Sequence, residues 1–125
     1  MVTTPTAATP TAVTDSLQRL HESLPPLNFE PENDIPSGQI PYANSYLAHY
    51  QLTDINAAAQ AQHGTRHYLG QLNTAGYQVA CQYWLPENAK GTVFVVHGYF
   101  DHSALYRHLF SYLLERGYAV VTFDL

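Results

Sequence analysis

Positive charge is scarce in this chain and nowhere gathered: five Lys/Arg residues are scattered among 125, and the formal net charge is −5. Nucleic-acid binding draws on concentrated cations that displace counterions from phosphates, so no nucleic-acid partner is expected. The single cysteine, Cys81, cannot form an internal disulfide, and nothing points to an oxidising compartment. Met1 to Thr14 lacks the basic and apolar stretches of a secretory signal. The longest apolar runs are strand-sized, too short for a membrane-spanning helix. A soluble, cytoplasmic chain is the expectation, with contact at a membrane surface left open and oligomeric state undetermined.

What is present changes in character along the chain. Residues 1–14 are Thr/Ala/Pro-rich, uncharged and nearly free of large apolar side chains, so they are read as a disordered tail. Asp15 to Leu24 can form one short helix with Leu17, Leu20 and Leu24 on one side, capped by Asp15 and ended by Pro25 and Pro26. The Pro-, Asn- and acid-rich run to Gly38 reads as a linker, and residues 1–38 as a tail-and-linker unit. A helical lead-in occupies 39–64. There Tyr42, Tyr46 and Tyr50 recur at helical spacing beside Leu47, and an alanine-rich helix over Ile55 to Gln62 stops at Gly64.

Residues 65–125 read as an α/β unit. Arg66–Leu72 and Tyr77–Leu85 are strand-like, joined by a turn at Asn73-Thr74-Ala75-Gly76. In the second run Val79, Cys81, Tyr83 and Leu85 alternate with Gln78, Ala80, Gln82 and Trp84, which predicts one wetter face. Thr92-Val93-Phe94-Val95-Val96 is continuously apolar, the mark of a parallel strand buried on both faces. A helix capped by Asp101 or Ser103 then runs to Arg116 and stops at Gly117. Its expected buried stripe is Leu105, Leu109, Tyr112 and Leu113, with Ala104, His108, Ser111 and Glu115 on the wet side. Tyr118 to Phe123 is a second apolar strand, completing a βαβ unit whose crossover should be right-handed.

Ligands of open parallel sheets bind beyond the carboxyl ends of the strands. His97, Gly98, Tyr99 and Phe100 follow the first parallel strand, and Asp124 ends the second. Gly98 allows a sharp turn, after which the Tyr99 N–H can face a developing oxyanion. Tyr99 and Phe100 can line an apolar pocket. The spacing alone fits a plain turn glycine better than an oxyanion-hole element.

Seven histidines raise the question of a metal site, but no spacing supports one. His102 and His108 fall on different sides of a helix, and Gly64 interrupts the interval between His63 and His67. His97 and His102 are assigned to hydrogen bonding within the loop, and His108 to solvent. Asp124 is read as organising a turn. Cys81, mid-strand without a neighbouring cation, is read as an inert buried thiol. No metal and no cofactor are expected.

The run from Gly91 to Leu125 resembles the start of α/β-hydrolases of the monoacylglycerol lipase, lysophospholipase and serine aminopeptidase group. The shared features are an apolar strand, His97-Gly98 with His102 four residues on, Tyr106, Leu113-Leu114, Gly117-Tyr118 and a strand ending in Asp124. The hairpin carrying Tyr83-Trp84-Leu85-Pro86 also suits that fold, so the resemblance covers about residues 65–125. It implies the N-terminal portion of an α/β-hydrolase fold, incomplete here, in which His97, Gly98 and His102 shape the loop and Tyr99 donates to an oxyanion hole. It implies nucleophilic acyl transfer by a Ser in Gly-x-Ser-x-Gly, then an Asp and a His. None of the six serines has those glycines, so the triad is expected beyond Leu125 and the 125 residues alone are expected to be inactive. The implied substrate is a small carboxylic ester, lipid-like. Alternatives are an Asp-nucleophile enzyme of the same fold, as in epoxide hydrolases, and a short non-enzymatic binding protein. The implied sheet order would leave Val93 to Val96 with an unpaired edge, an aggregation liability.

Overall fold

The computed structural model describes residues 10–96 and 106–124, with the side chains of residues 10–13, 74 and 124 excepted. Its centre is a four-stranded mixed sheet in the order β1-β2-β4-β3. Strands β1 (Arg66–Thr74) and β2 (Tyr77–Leu85) form the antiparallel hairpin expected from their alternation, paired from Arg66↔Leu85 to Thr74↔Tyr77. The turn is tighter than the four residues read from sequence. Only Ala75 (φ 47°) and Gly76 (φ 82°) lie between the strands, both left-handed, as a two-residue turn between twisted strands requires. Strand β2 pairs antiparallel with β4 (Ala119–Asp124), and β4 pairs parallel with β3 (Thr92–Val95).

One face of the sheet carries Leu69, Trp84, Val95 and Val120 and is covered by helices. Helices α2 (Ala43–His49), α3 (Thr53–His63) and α4 (Arg107–Glu115) bury Leu47, Leu52, Ala59, Phe110 and Leu114 against Trp84 and Val120. Helix α1 (Pro10–Ser23) and the start of α2 bury Leu20, Leu24, Ile40 and Ala43 against Leu69. The hairpin was expected to keep one face wet. Gln82 and Trp84 are instead as buried as Cys81 and Tyr83, because the helices seal that side.

Helix α1 begins at Pro10, earlier than the Asp15 start expected from sequence. Proline is pre-organised for a first helical turn, and Asp15 accepts from the Arg19 Nε–H one turn on, at 2.9 Å, rather than capping the end. The run up to Gly38, read as a linker, belongs to a packed strap, from Leu24 to Ile40, along the edge of β1. Leu27 N–H donates to the Gln71 carbonyl (3.0 Å), Gln71 N–H to the Pro25 carbonyl (2.9 Å), and the Gln71 side-chain amide to the Leu24 carbonyl (2.9 Å). The approach needs Gly70, since a Cβ there would sit 2.7 Å from the Pro25 carbonyl oxygen. Composition could not reveal this, because the backbone of β1 rather than a side-chain pattern recruits the strap.

The opposite face is covered at the β1–β2 end, where Leu27 packs with Tyr68, Cys81, Tyr83 and Val121. Toward β3 it is open. Phe94 is 64% exposed and Val96 63%, which overturns the expectation of a strand buried on both faces. β3 is the sheet edge, and among the described residues nothing packs over Phe94. On α4 the buried residues are Phe110 and Leu114, while Leu109 and Tyr112 are exposed. The helix is thus rotated from the expected stripe: of Leu109, Tyr112 and Leu113 only Leu113 packs on the core, and Leu105 lies outside the described residues. The Arg116 guanidinium covers the Tyr112 ring at 3.6 Å, which lets that ring stay outside.

Candidate active site

The parallel pair β3–β4 places two strand ends side by side, with Val95 level with Thr122. The Thr122 hydroxyl donates to the Val95 carbonyl at 2.8 Å in a buried setting. That bond fixes the point where the chain leaves the sheet. On the far side of the loop Tyr106 packs against the main core, and α4 docks through Phe110, whose ring lies 5.0 Å from Trp84. The Trp84 indole N–H donates to Asn56 at 2.6 Å, tying α3 to the same anchor. The sheet therefore holds both approaches to the 97–105 interval at the carboxyl edge, where open parallel sheets bind ligands.

His97, Gly98, Tyr99, Phe100, Asp101, His102, Ser103, Ala104 and Leu105 lie outside the described residues, as does the side chain of Asp124. Of the other histidines, His108 is exposed on α4 as expected, and His63 donates from Nε2 to the Glu115 carbonyl at 2.8 Å. Among the described residues no group of His, Cys, Asp or Glu could hold a metal ion. Cys81 is a free, buried cysteine.

Two polar clusters were not anticipated. The first centres on His67, buried between Ser37 and Gln82. The Gln82 amide donates to the Tyr46 hydroxyl (2.8 Å), so its carbonyl oxygen accepts from His67 Nε2 (2.8 Å). Nδ1 is then the acceptor, taking a hydrogen bond from the Ser37 hydroxyl at 2.8 Å. The tautomer is assigned from these partners. Burial lowers the His67 pKa to about 4, partly opposed by the bond to Gln82. A Ser–His contact of this length resembles part of a nucleophile–base pair. Here Ser37 is only 6% exposed, the imidazole is a weak base at neutral pH, and an uncharged Gln stands where an imidazolium needs a carboxylate. Its role is to satisfy polar groups under the helices.

The second cluster is Asp34 with Tyr83. The carboxylate accepts N–H bonds from Asn28 (2.8 Å) and Glu30 (3.0 Å) and the Tyr83 hydroxyl at 2.6 Å. Burial, then the Asp34 bond and charge, hold the Tyr83 phenol well above its ordinary pKa. Neither cluster has a sequence signature, because each joins residues from segments far apart in the chain.

Residues 87–125 match the family model of hydrolases described as serine aminopeptidase, S33. The matched residues run from just before β3, through α4, to the end of β4. Among solved structures, a cold-adapted esterase from an Arctic intertidal metagenomic library, determined with PEG bound, is 26% identical. That match covers 48% of this chain and 27% of the esterase, with a TM-score of 0.40, so the chain spans about a quarter of the esterase's length. No curated protein matches the chain. No helix among the described residues is long and apolar enough to cross a membrane.

Proposed function

We propose that residues 65–125 open the catalytic domain of a serine hydrolase acting on carboxylic esters. The observation that carries this reading is the S33-type match over residues 87–125, the strand–loop–helix–strand interval. In this reading the Tyr99 N–H donates to the oxyanion. Gly98 gives the sharp turn, and His97 and His102 hold the loop in shape. A backbone donor of this kind lowers the barrier by about 3 kcal/mol. Tyr99 and Phe100 line the acyl side, which favours lipid-like esters such as monoacylglycerols and lysophospholipids. None of the 125 residues lies in a Gly-x-Ser-x-Gly elbow, so the nucleophile is not among them and the chain by itself is inactive. A cytoplasmic location accompanies this reading.

A fluorophosphonate probe tests the proposal. It should leave the 125-residue chain unlabelled and label any longer product of the same coding region at a serine between two glycines. Labelling of the 125-residue chain, or a longer product that carries Asp at the elbow, would overturn it.

A further inference from the structure

Strand β1 is nine residues long and pairs with β2 along its whole length, so half of its main-chain groups point the other way. Gln71 turns its N–H and its carbonyl to that outer side. The strap meets both, through the Pro25 carbonyl and the Leu27 N–H. By the two-residue period of a strand, His67, Leu69 and Asn73 present theirs in the same direction. The strap aligns with β1 at Pro26, opposite Gln71, and again at Pro36, opposite Tyr68. The first bridge is parallel and the second antiparallel, so the chain reverses between them. Proline has no N–H and cannot continue a ladder, so the strap covers the edge without itself becoming a strand.

We infer that the strap is a removable guard, which keeps the β1 edge from pairing with the β1 edge of a second copy of this chain. The strand suits such pairing. Its one charged residue, Arg66, stands at its start, so antiparallel copies centred on Gly70 set Arg66 opposite Thr74 and bring no like charges together. A long edge of this kind, once uncovered, is a template for another strand. Gly70 is the point where the guard can be lifted alone. It lies outside the left-handed region, so alanine fits the strand itself. The added Cβ would lie 2.7 Å from the Pro25 carbonyl oxygen and 3.0 Å from the Leu27 Cβ, so the strap must give way. The guard is built by residues 24–40 on β1, outside the interval matched to hydrolases, and does not depend on the ester-hydrolase reading.

The test adds Gly70→Ala to the 125-residue chain carrying Phe94→Thr, which removes the exposed aromatic of β3 and serves as the reference. Sedimentation equilibrium compares the two proteins at equal concentration. Gly70→Ala should raise the association constant by roughly tenfold or more, through the main-chain hydrogen bonds gained across the edge. Amide exchange locates the contact. The Gln71 amide should exchange fast in the dilute Gly70→Ala protein, where its Pro25 partner is displaced, and slow as the concentration rises. Asp34→Ala serves if Gly70→Ala does not fold. It removes the acceptor of the Asn28, Glu30 and Tyr83 bonds at the far end of the strap, leaves β1 unaltered, and should also raise association. Unchanged association, or association that leaves the Gln71 amide fast, would each overturn the guard.

Discussion

The Tyr83 hydroxyl donates to the Asp34 carboxylate at 2.6 Å, across a sequence separation of 49 residues. This bond fastens the strap to the centre of the sheet, on the face opposite the helices, where the Phe29 ring also lies 5.3 Å from that of Tyr83. Asp34 keeps two backbone donors if the phenol is lost, so the strap would loosen rather than detach.

Tyr83→Phe should therefore destabilise the chain by about 2 kcal/mol, as expected for a bond to a charged partner. Urea denaturation at neutral pH measures it. The phenol's raised pKa also predicts an alkaline limb. Stability contributed by the protonated phenol is complete below its ordinary value of 10.0 and falls as pH rises above it. Tyr83→Phe should flatten that limb, and an unchanged limb would assign the effect to other groups.

His67 predicts the acid limb. Its folded pKa of about 4 lies below the ordinary 6.5, so the unfolded chain takes up a proton first as pH falls. Stability is complete above 6.5 and lost progressively toward 4, by roughly 3 kcal/mol in all. His67→Gln should lower stability at neutral pH and flatten the slope across that window in a pH series of thermal melts.

Thr122→Val removes the donor to the Val95 carbonyl while keeping the side chain's shape. The expected cost is about 1–2 kcal/mol. Amide exchange should quicken in β3 and at the end of β4 more than in the β1–β2 hairpin. Uniform quickening across the sheet would mean that the bond supports global stability and not the strand ends.

The open edge predicts self-association. β3 carries no charge and its Phe94 is exposed, whereas the β1 edge is covered by the strap. Phe94→Thr should slow the growth of light scattering at fixed concentration and alter folding stability by no more than about 0.5 kcal/mol, as for an exposed position. Equal scattering by both proteins would place the association elsewhere.

How much of this was legible beforehand differs by element. The hairpin, the two apolar strands and the existence of the helix between them could be read from Tyr77–Leu85, Thr92–Val96, the run ending at Arg116-Gly117 and Tyr118–Phe123, because periodicity and turn residues are local signals. The loop chemistry at His97-Gly98-Tyr99 was legible only as a pattern shared with a family. Gln82 and His67 were not legible as buried, because a polar residue in an alternating strand reads as solvent-facing until a helix is laid over it.

By itself the amino-acid sequence determined the main strands and helices, the parallel pairing of residues 92–95 with 119–122, and the match of residues 87–125 to the S33-type family model. Each is dictated by neighbours a few residues apart or by a contiguous motif. Tertiary structure alone decided which face of α4 turns inward, that Leu24 to Ile40 closes the β1 edge, and that Ser37, His67, Gln82 and Tyr46 share one buried network. Those outcomes depend on desolvation by distant segments and on backbone groups that any sequence would present. The same reason governs His97-Gly98-Tyr99: the motif names the loop, while the Thr122–Val95 bond sets where its approach from β3 begins.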